Sequence, residues 1–264
     1  MKTLYCLLAS CGLFLPSLAA EPVTVKISVD SVERSALIYA PKTENKENKI
    51  PLVFGFHGHG GSAQQAAKSF RLHEVWPEAC VVYMQGLPTA GQLSDPEGKR
   101  NGWQSASGMQ GDRDLKFYDA LLKKLRSDYP IDAKRIYATG HSNGGGFTYL
   151  LWAYRGKDFA AVAPCAAAAL QYAFTLEPKP CLHIAGTNDP LVKYDWQERM
   201  MTIVKRKNLC ATTGTTWDKD CTEYAPATKG KGATFISCIH KGTHQYPAEA
   251  PALIVKFFKE HQLP

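Results

Sequence analysis

The stretch Arg135-Ile136-Tyr137-Ala138-Thr139-Gly140-His141-Ser142-Asn143-Gly144 decides the fold. An apolar run that ends in Gly-x-Ser-x-Gly and continues into a helix-like segment is the pattern of a strand-to-helix elbow, which lifts a serine hydroxyl out of a sharp turn. Gly140 and Gly144 carry the physical content, because so tight a turn brings backbone segments too close for a side chain beside the serine. The elbow makes Ser142 a candidate nucleophile. Five-residue patterns also arise by chance, the plain alternative being a Gly-rich turn before a helix, so later features of the chain must decide.

An elbow of this kind needs an acid after a later strand and a histidine after the last one. Pro180-Cys181-Leu182-His183-Ile184-Ala185 reads as a buried strand and runs into the turn Gly186-Thr187-Asn188-Asp189-Pro190, which places Asp189 at the strand's carboxyl end. Ala233-Thr234-Phe235-Ile236-Ser237-Cys238-Ile239 is the last strand-like run, and Lys241-Gly242-Thr243-His244 follows it. Asp189 and His244 are the expected acid and base, with Asp195 and His240 as their nearest competitors. A carboxylate, an imidazole and a hydroxyl in that relation make a weak nucleophile attack a carbonyl.

The second chemical cluster is Phe56-His57-Gly58-His59-Gly60-Gly61, directly after the apolar run Leu52 to Phe56. A loop in this position supplies one backbone amide to an oxyanion hole, and the residue after the serine supplies the other. The amides of His59 and Asn143 are the expected donors, with Gly58 or Gly60 as alternatives for the first. A competing reading takes His57 and His59 with His141 or His244 as zinc ligands. It lacks a carboxylate or a third histidine at short spacing and leaves the elbow unexplained.

The chain has 264 residues, 45% apolar and 21% charged, enough for one sizeable core. Met1-Lys2, the apolar residues from Leu7 to Leu15 and Ser17-Leu18-Ala19 read as a signal peptide over residues 1–20, leaving a single domain over 21–264 and a secreted or periplasmic protein. Leu8-Ala9-Ser10-Cys11 also resembles a lipoprotein box. Eight cysteines become six once Cys6 and Cys11 leave, and export makes bridges plausible. A bridge from Cys210 to Cys221 or Cys238 is expected, while Cys80, Cys165 and Cys181 suit buried free thiols equally well. The formal charge of +7 comes from scattered lysines and arginines with no nucleic-acid motif. No later apolar run reaches the roughly 18–20 residues of a membrane span.

Strands are expected near residues 22–29, 34–40, 51–56, 79–84, 135–139, 160–164, 180–185 and 233–239. Leu115, Tyr118, Leu121, Leu122, Leu125 and Tyr129 mark an amphipathic helix, Asp195-Trp196-Gln197-Glu198 a capping box opening another through about residue 207, and Ala248 to Gln262 a last one. Strands alternating with helices predict an α/β fold with a mostly parallel sheet of about eight strands, covered on both faces. Gln85 to Asp112 lacks periodicity and is expected to border the site, with Trp103 and Gln104 lining a substrate pocket or Trp103 pinning the loop to the body. Asp112 and Asp114 are expected to cap the following helix.

Taken together, His57-Gly58-His59-Gly60-Gly61, the run from Gly86-Leu87-Pro88 through Asp95-Pro96 to Gly102-Trp103-Gln104, Gly140 to Gly145, Gly186-Thr187-Asn188-Asp189-Pro190 and Gly242-Thr243-His244 resemble the secreted polyhydroxybutyrate depolymerase-like and feruloyl esterase group of α/β hydrolases. The resemblance spans nearly all of residues 21–264. It implies an α/β-hydrolase fold, no cofactor, and a Ser142-Asp189-His244 triad acting on carboxylic esters. The expected substrates are hydroxycinnamoyl-polysaccharide esters, with hydroxybutyrate polymers or oligomers as the alternative. Tyr246-Pro247 departs from the family, where many members look like Trp-Pro. With no carbohydrate- or polyester-binding module recognisable, soluble or oligomeric esters are expected over insoluble polymer. A binding protein that keeps the fold without the chemistry would be expected to lack one of the three residues.

Overall fold

Two strands joined by Asp30-Ser31, both at positive φ, open the architecture: β1 (Val23–Val29) and β2 (Val32–Tyr39). In the computed structural model the described residues are 21–41, 47–91 and 93–264. The expected leader, with Cys6 and Cys11, lies outside them. Strands β3 (Ile50–Phe56) and β4 (Cys80–Met84) are buried along their whole length, and the short pair β5 (Leu87–Pro88) and β6 (Asn101–Gly102) forms a separate ribbon in the long loop. Strands β7 (Ile131–His141), β8 (Ala161–Cys165) and β9 (Cys181–Gly186) follow, then β10 (Thr215–Asp218), β11 (Cys221–Tyr224) and β12 (Phe235–His240).

The main sheet runs β1-β2-β4-β3-β7-β8-β9-β12-β11-β10. Its six central strands, β4 to β12 in that order, pair in parallel, and the two strands at each margin are antiparallel. The sheet has ten strands rather than about eight. β10 and β11 fall in the polar segment after residue 208, where short half-exposed strands leave little alternation to read.

Alternate residues of the central strands feed two cores. Leu52, Phe54 and Phe56 of β3 and Val82 of β4 face helices α3 (Arg113–Asp128), α4 (Asn143–Arg155) and α5 (Tyr194–Lys207), which contribute Leu121, Phe147 and Met200. Val53 and Val81 face the opposite layer, made by α1 (Ala63–Phe70), the single turn α2 (Leu72–Val75) and α6 (Ala250–Lys259). Every central strand is thus covered on both sides, which explains why β3, β4 and β8 read as unbroken apolar runs and β9 as one broken only by His183.

The structure departs from two local expectations. Asp195 forms no capping box: the amides of Trp196 and Gln197 already bond to the Lys193 carbonyl, so α5 has begun before Asp195 and its carboxylate sits in the first turn. The bridge joins Cys221 to Cys238, leaving Cys210 free. Cys221 and Cys238 are direct cross-strand partners of β11 and β12, whereas the Cys210 sulfur points to the Ala233 carbonyl. Cys80, Cys165 and Cys181 are buried thiols, and burial pushes the Cys80 thiol up to about 12.

Candidate active site

The elbow forms where β7 meets α4. Ser142 adopts φ 57° and ψ −120°, a strained conformation held by the Ser142 amide bonding to the Cys165 carbonyl at 2.9 Å and by the next helical turn. A side chain on Gly140 would collide with the Gly144 carbonyl, and one on Gly144 with the Phe56 carbonyl. Both elbow glycines are therefore required by close backbone approach.

Three neighbouring loops bring the expected triad together. Ser142 Oγ lies 2.7 Å from His244 Nε2, and His244 Nδ1 lies 2.7 Å from Asp189 Oδ2. Asp189 follows β9 and His244 follows β12, so the parallel pairing of those strands sets the two loops side by side. The Thr187 amide bonds to the His240 carbonyl and the Asn188 amide to the Gly242 carbonyl, locking them in register. Asp189 Oδ1 accepts the amides of Leu191 and Val192, each at 2.9 Å. With the Gln197 side chain as a fourth donor at 3.2 Å, its buried carboxylate is fully solvated by the protein. The competitors lie elsewhere: Asp195 is exposed, and His240 Nδ1 accepts the Gly242 amide at 3.0 Å.

The glycine loop after β3 lies against the elbow, where a side chain on Gly58 would stand 3.5 Å from the Ser142 Cβ. The Gly60 amide donates to the Asn101 carbonyl at 2.6 Å and the Gly61 amide to Gly58 at 3.0 Å. Those bonds occupy the Gly60 donor that sequence left open and leave His59 or Gly58 for the site. Both nitrogens of His57 are used, Nδ1–H donating to the Gly58 carbonyl and Nε2 accepting the Gly86 amide. His59 Nε2–H donates to Asp95 at 3.0 Å. His57 and His59 therefore face separate partners, and among the described residues no three His, Cys, Asp or Glu side chains converge as a metal site.

Beside Ser142 opens a pocket of about 180 Å³ whose wall includes Phe147, Ala167, Leu93, Leu191 and Val192, with Gln171, Ser94 and Ser105 as polar points. Along the glycine loop a second, open cleft of about 480 Å³ is bounded by His59, Gln65, Ser69, His141, Gln245 and Tyr246. The expectation that Trp103 lines the pocket is corrected. Its ring is fully buried between Phe56 and Phe147, and its indole N–H donates to the His57 carbonyl at 2.8 Å, so it pins the loop. Gln104 borders the pocket, yet its buried amide is spent on structure: Oε1 accepts the Asp114 amide at the start of α3, and Nε2 donates to Asp112 and the Ala106 carbonyl. Gln104, rather than Asp112 or Asp114, caps α3. Asp112 instead accepts the Gly108 amide, and Asp114 forms a buried pair with Arg34 at 2.7 Å.

Two contacts escaped the sequence reading. The Asn143 side chain clamps Trp103, Oδ1 accepting its amide at 2.7 Å and Nδ2 donating to its carbonyl at 3.2 Å. His141 Nε2–H donates to the His244 carbonyl at 2.7 Å, and burial, followed by the neighbouring His244, pushes the His141 imidazole down to about 4. Both residues flank Ser142 in the motif, but nothing local names their partners 40 and 103 residues away.

No protein-family model matches the chain. It is 28% identical over 186 residues to a probable feruloyl esterase C of Aspergillus oryzae, covering 69% of this chain and 64% of that one. It is 30% identical over 186 residues to a bifunctional acetylxylan esterase/xylanase of Neocallimastix patriciarum, covering 69% and 25% respectively. The chain thus spans less than two thirds of the length of these curated relatives. Among solved structures it is similar to a ferulic acid esterase with TM-score 0.63 and 15% identity, over 90% of this chain and 97% of that one. The sheet order, the elbow and these likenesses together identify the chain as an α/β-hydrolase-fold protein related in sequence to feruloyl esterases.

Proposed function

We propose that the protein is a serine carboxylesterase that hydrolyses hydroxycinnamoyl esters of polysaccharides through an acyl-enzyme. The observation that carries the reading is the unbroken hydrogen-bond line from Ser142 Oγ through His244 to Asp189, set at a strained elbow beside an apolar pocket. His244 Nε2 takes the hydroxyl proton as Ser142 attacks the ester carbonyl, while Asp189 fixes the imidazole with Nδ1–H inward and stabilises the imidazolium. The oxyanion meets the amides of His59 and Asn143, each donor lowering the barrier by about 3–4 kcal/mol. His244 then protonates the departing alcohol, and a water activated by the same imidazole releases the acid.

In this reading the hydroxycinnamoyl group occupies the apolar pocket, and the sugar alcohol leaves through the polar cleft bounded by Gln65, Ser69 and Gln245. The feruloyl esterase names of the relatives favour this acyl class over hydroxybutyrate oligomers. The leader-like sequence over residues 1–20 supports secretion, and the acetylxylan esterase/xylanase name of one relative supports a plant-wall carbohydrate substrate. Rates on methyl ferulate, an aryl acetate and a hydroxybutyrate oligomer test the assignment, with methyl ferulate expected fastest. Ser142→Ala should abolish turnover and covalent labelling by a serine-directed phosphonate while leaving the fold intact. Retained hydrolysis by that variant would reject the mechanism, and a preference for the hydroxybutyrate oligomer would reject the acyl class.

A further inference from the structure

Behind Asp189 a line of buried polar side chains runs into the core. Gln197 on α5 donates from Nε2 to Asp189 Oδ2 at 3.2 Å and to the Val192 carbonyl at 2.7 Å. Its Oε1 lies 3.3 Å from Nε2 of His183 on β9, and His183 Nδ1 lies 2.8 Å from the hydroxyl of Tyr149 on α4. Gln197, His183 and Tyr149 are each fully buried. Groups of this kind are costly in a core unless each donor and acceptor is matched, so their bonds must be read as one set.

The set has a single consistent direction. Once the Gln197 NH₂ serves the carboxylate and the Val192 carbonyl, Oε1 can only accept, so His183 must carry its proton on Nε2. His183 Nδ1 is then a lone pair, which the Tyr149 hydroxyl fills as donor. Burial holds the His183 imidazole down at about 4 and the Tyr149 hydroxyl well above its ordinary range, so both stay neutral near pH 7, and the two acceptors on the Gln197 NH₂ set the direction. From Tyr149 through His183 to Gln197 each linking hydrogen points toward Asp189, whose Oδ2 receives Gln197 on one side and His244 Nδ1–H on the other.

We propose that Tyr149, His183 and Gln197 form a one-way hydrogen-bond relay that positions Asp189 for His244, with His183 locked as the neutral Nε2–H tautomer. The relay rests on the esterase reading for its purpose, but not for its existence. Gln197 fixes the rotation of the carboxylate, so Oδ2 faces His244 while Oδ1 is held by the Leu191 and Val192 amides. His183 in turn fixes which end of the Gln197 amide points at Asp189. An amide flipped by half a turn would present its oxygen to the carboxylate, a repulsion the His183 Nε2–H forbids. These are positioning residues, since none of them lines the pocket beside Ser142.

The first test needs no substitution. Ring-nitrogen NMR of the ¹⁵N-histidine-labelled protein at pH 7 should show a neutral His183 protonated on Nε2, and an Nδ1–H or doubly protonated ring overturns the proposal. The second compares variants on methyl ferulate. Gln197→Met should lower kcat about tenfold to a hundredfold with KM within twofold, the worth of a hydrogen bond to a charged group. It should also shift the downfield His244 Nδ1–H resonance. His183→Gln, which keeps a donor at the Nε2 position, should retain more activity than His183→Leu. Wild-type kcat and an unmoved resonance in folded Gln197→Met overturn the relay. A wild-type protein inert toward every ester overturns the esterase reading instead, while the tautomer still decides the relay.

Discussion

Removing the Asp114 carboxylate is the most direct way to ask what holds the loop from residue 101 to 112 against the site. The Arg34 and Asp114 side chains are 1% and 0% exposed, and Arg34 Nη2 donates to Asp114 Oδ1 at 2.7 Å. Asp114 Oδ2 also accepts the Gln104 amide at 2.8 Å, and the guanidinium lies 4.4 Å above the Phe117 ring. Burial pushes the Arg34 pKa down and the adjacent carboxylate pulls it back up, which marks the pair as mutually dependent. Asp114→Ala leaves a cation in the core and the Gln104 amide without its acceptor. Breaking one side of such a pair costs about 3–5 kcal/mol. At roughly 2–4 °C per kcal/mol for a domain of this size, Tm should fall by about 6–20 °C. Arg34→Met combined with Asp114→Leu removes both charges while filling the space and should recover more than half of that loss. Urea unfolding at unchanged m-value is the assay. A loss below about 1 kcal/mol for Asp114→Ala, or a double variant no better than the single one, would refute the reasoning.

Three further outcomes follow from other parts of the molecule. Replacing Cys221 and Cys238 together by Ala opens a loop with a sequence separation of 17 and should cost about 3 kcal/mol in urea unfolding; Cys210→Ala, at a free thiol, should cost less than about 1 kcal/mol. His141 and His183 are held by burial at about 4, against 6.5 when unfolded. Unfolding therefore takes up protons between those values, so stability is full above pH 6.5 and declines toward pH 4. The slope is up to about 1.4 kcal/mol per pH unit for each histidine, and urea midpoints at pH 7 and pH 5 should show a shallower fall in His183→Gln. For ester hydrolysis, His244→Ala should lose at least a thousandfold in kcat/KM, on the order of the loss of a triad member, whereas His240→Ala and His261→Ala should stay within about threefold.

Much of this architecture could be read locally because the parallel strands are buried on both faces. Leu52 to Phe56 is a continuous apolar run, Cys181 to Gly186 and Phe235 to His240 are apolar runs broken by His183 and Ser237, and each ends in the turn that carries a site residue. The elbow was legible because its glycines answer to a steric demand within five residues. What sequence hid depends on partners far along the chain. Trp103 could be read as a pocket wall or as a loop anchor, and only the distant claims of His57 and Asn143 on its polar atoms decide for the anchor. Gln104 looked like a binding residue, yet the open end of α3 needed a cap and found one ten residues back. Asp114 looked like that cap until Arg34, 80 residues away, required a counter-charge. The pairing of Cys221 with Cys238 turned on a strand register that the half-exposed β10–β11 hairpin does not advertise.

Strand order sets which part of the site lies nearest the sheet's margin. Ser142 issues from β7 near the middle of the sheet, Asp189 from β9 two places on, and His244 from β12, beyond which only β11 and β10 remain. Fraying from that margin would carry off the imidazole first and the carboxylate next, while the serine turn stayed folded on its helix. Trp217 on β10 should report that fraying, and heat or mild denaturant should silence the protein before the core tryptophans Trp103 and Trp152 register any melting. The cross-strand bridge, 17 residues from end to end, would set how wide the gap between those two thresholds becomes, and a thiol reductant should widen it.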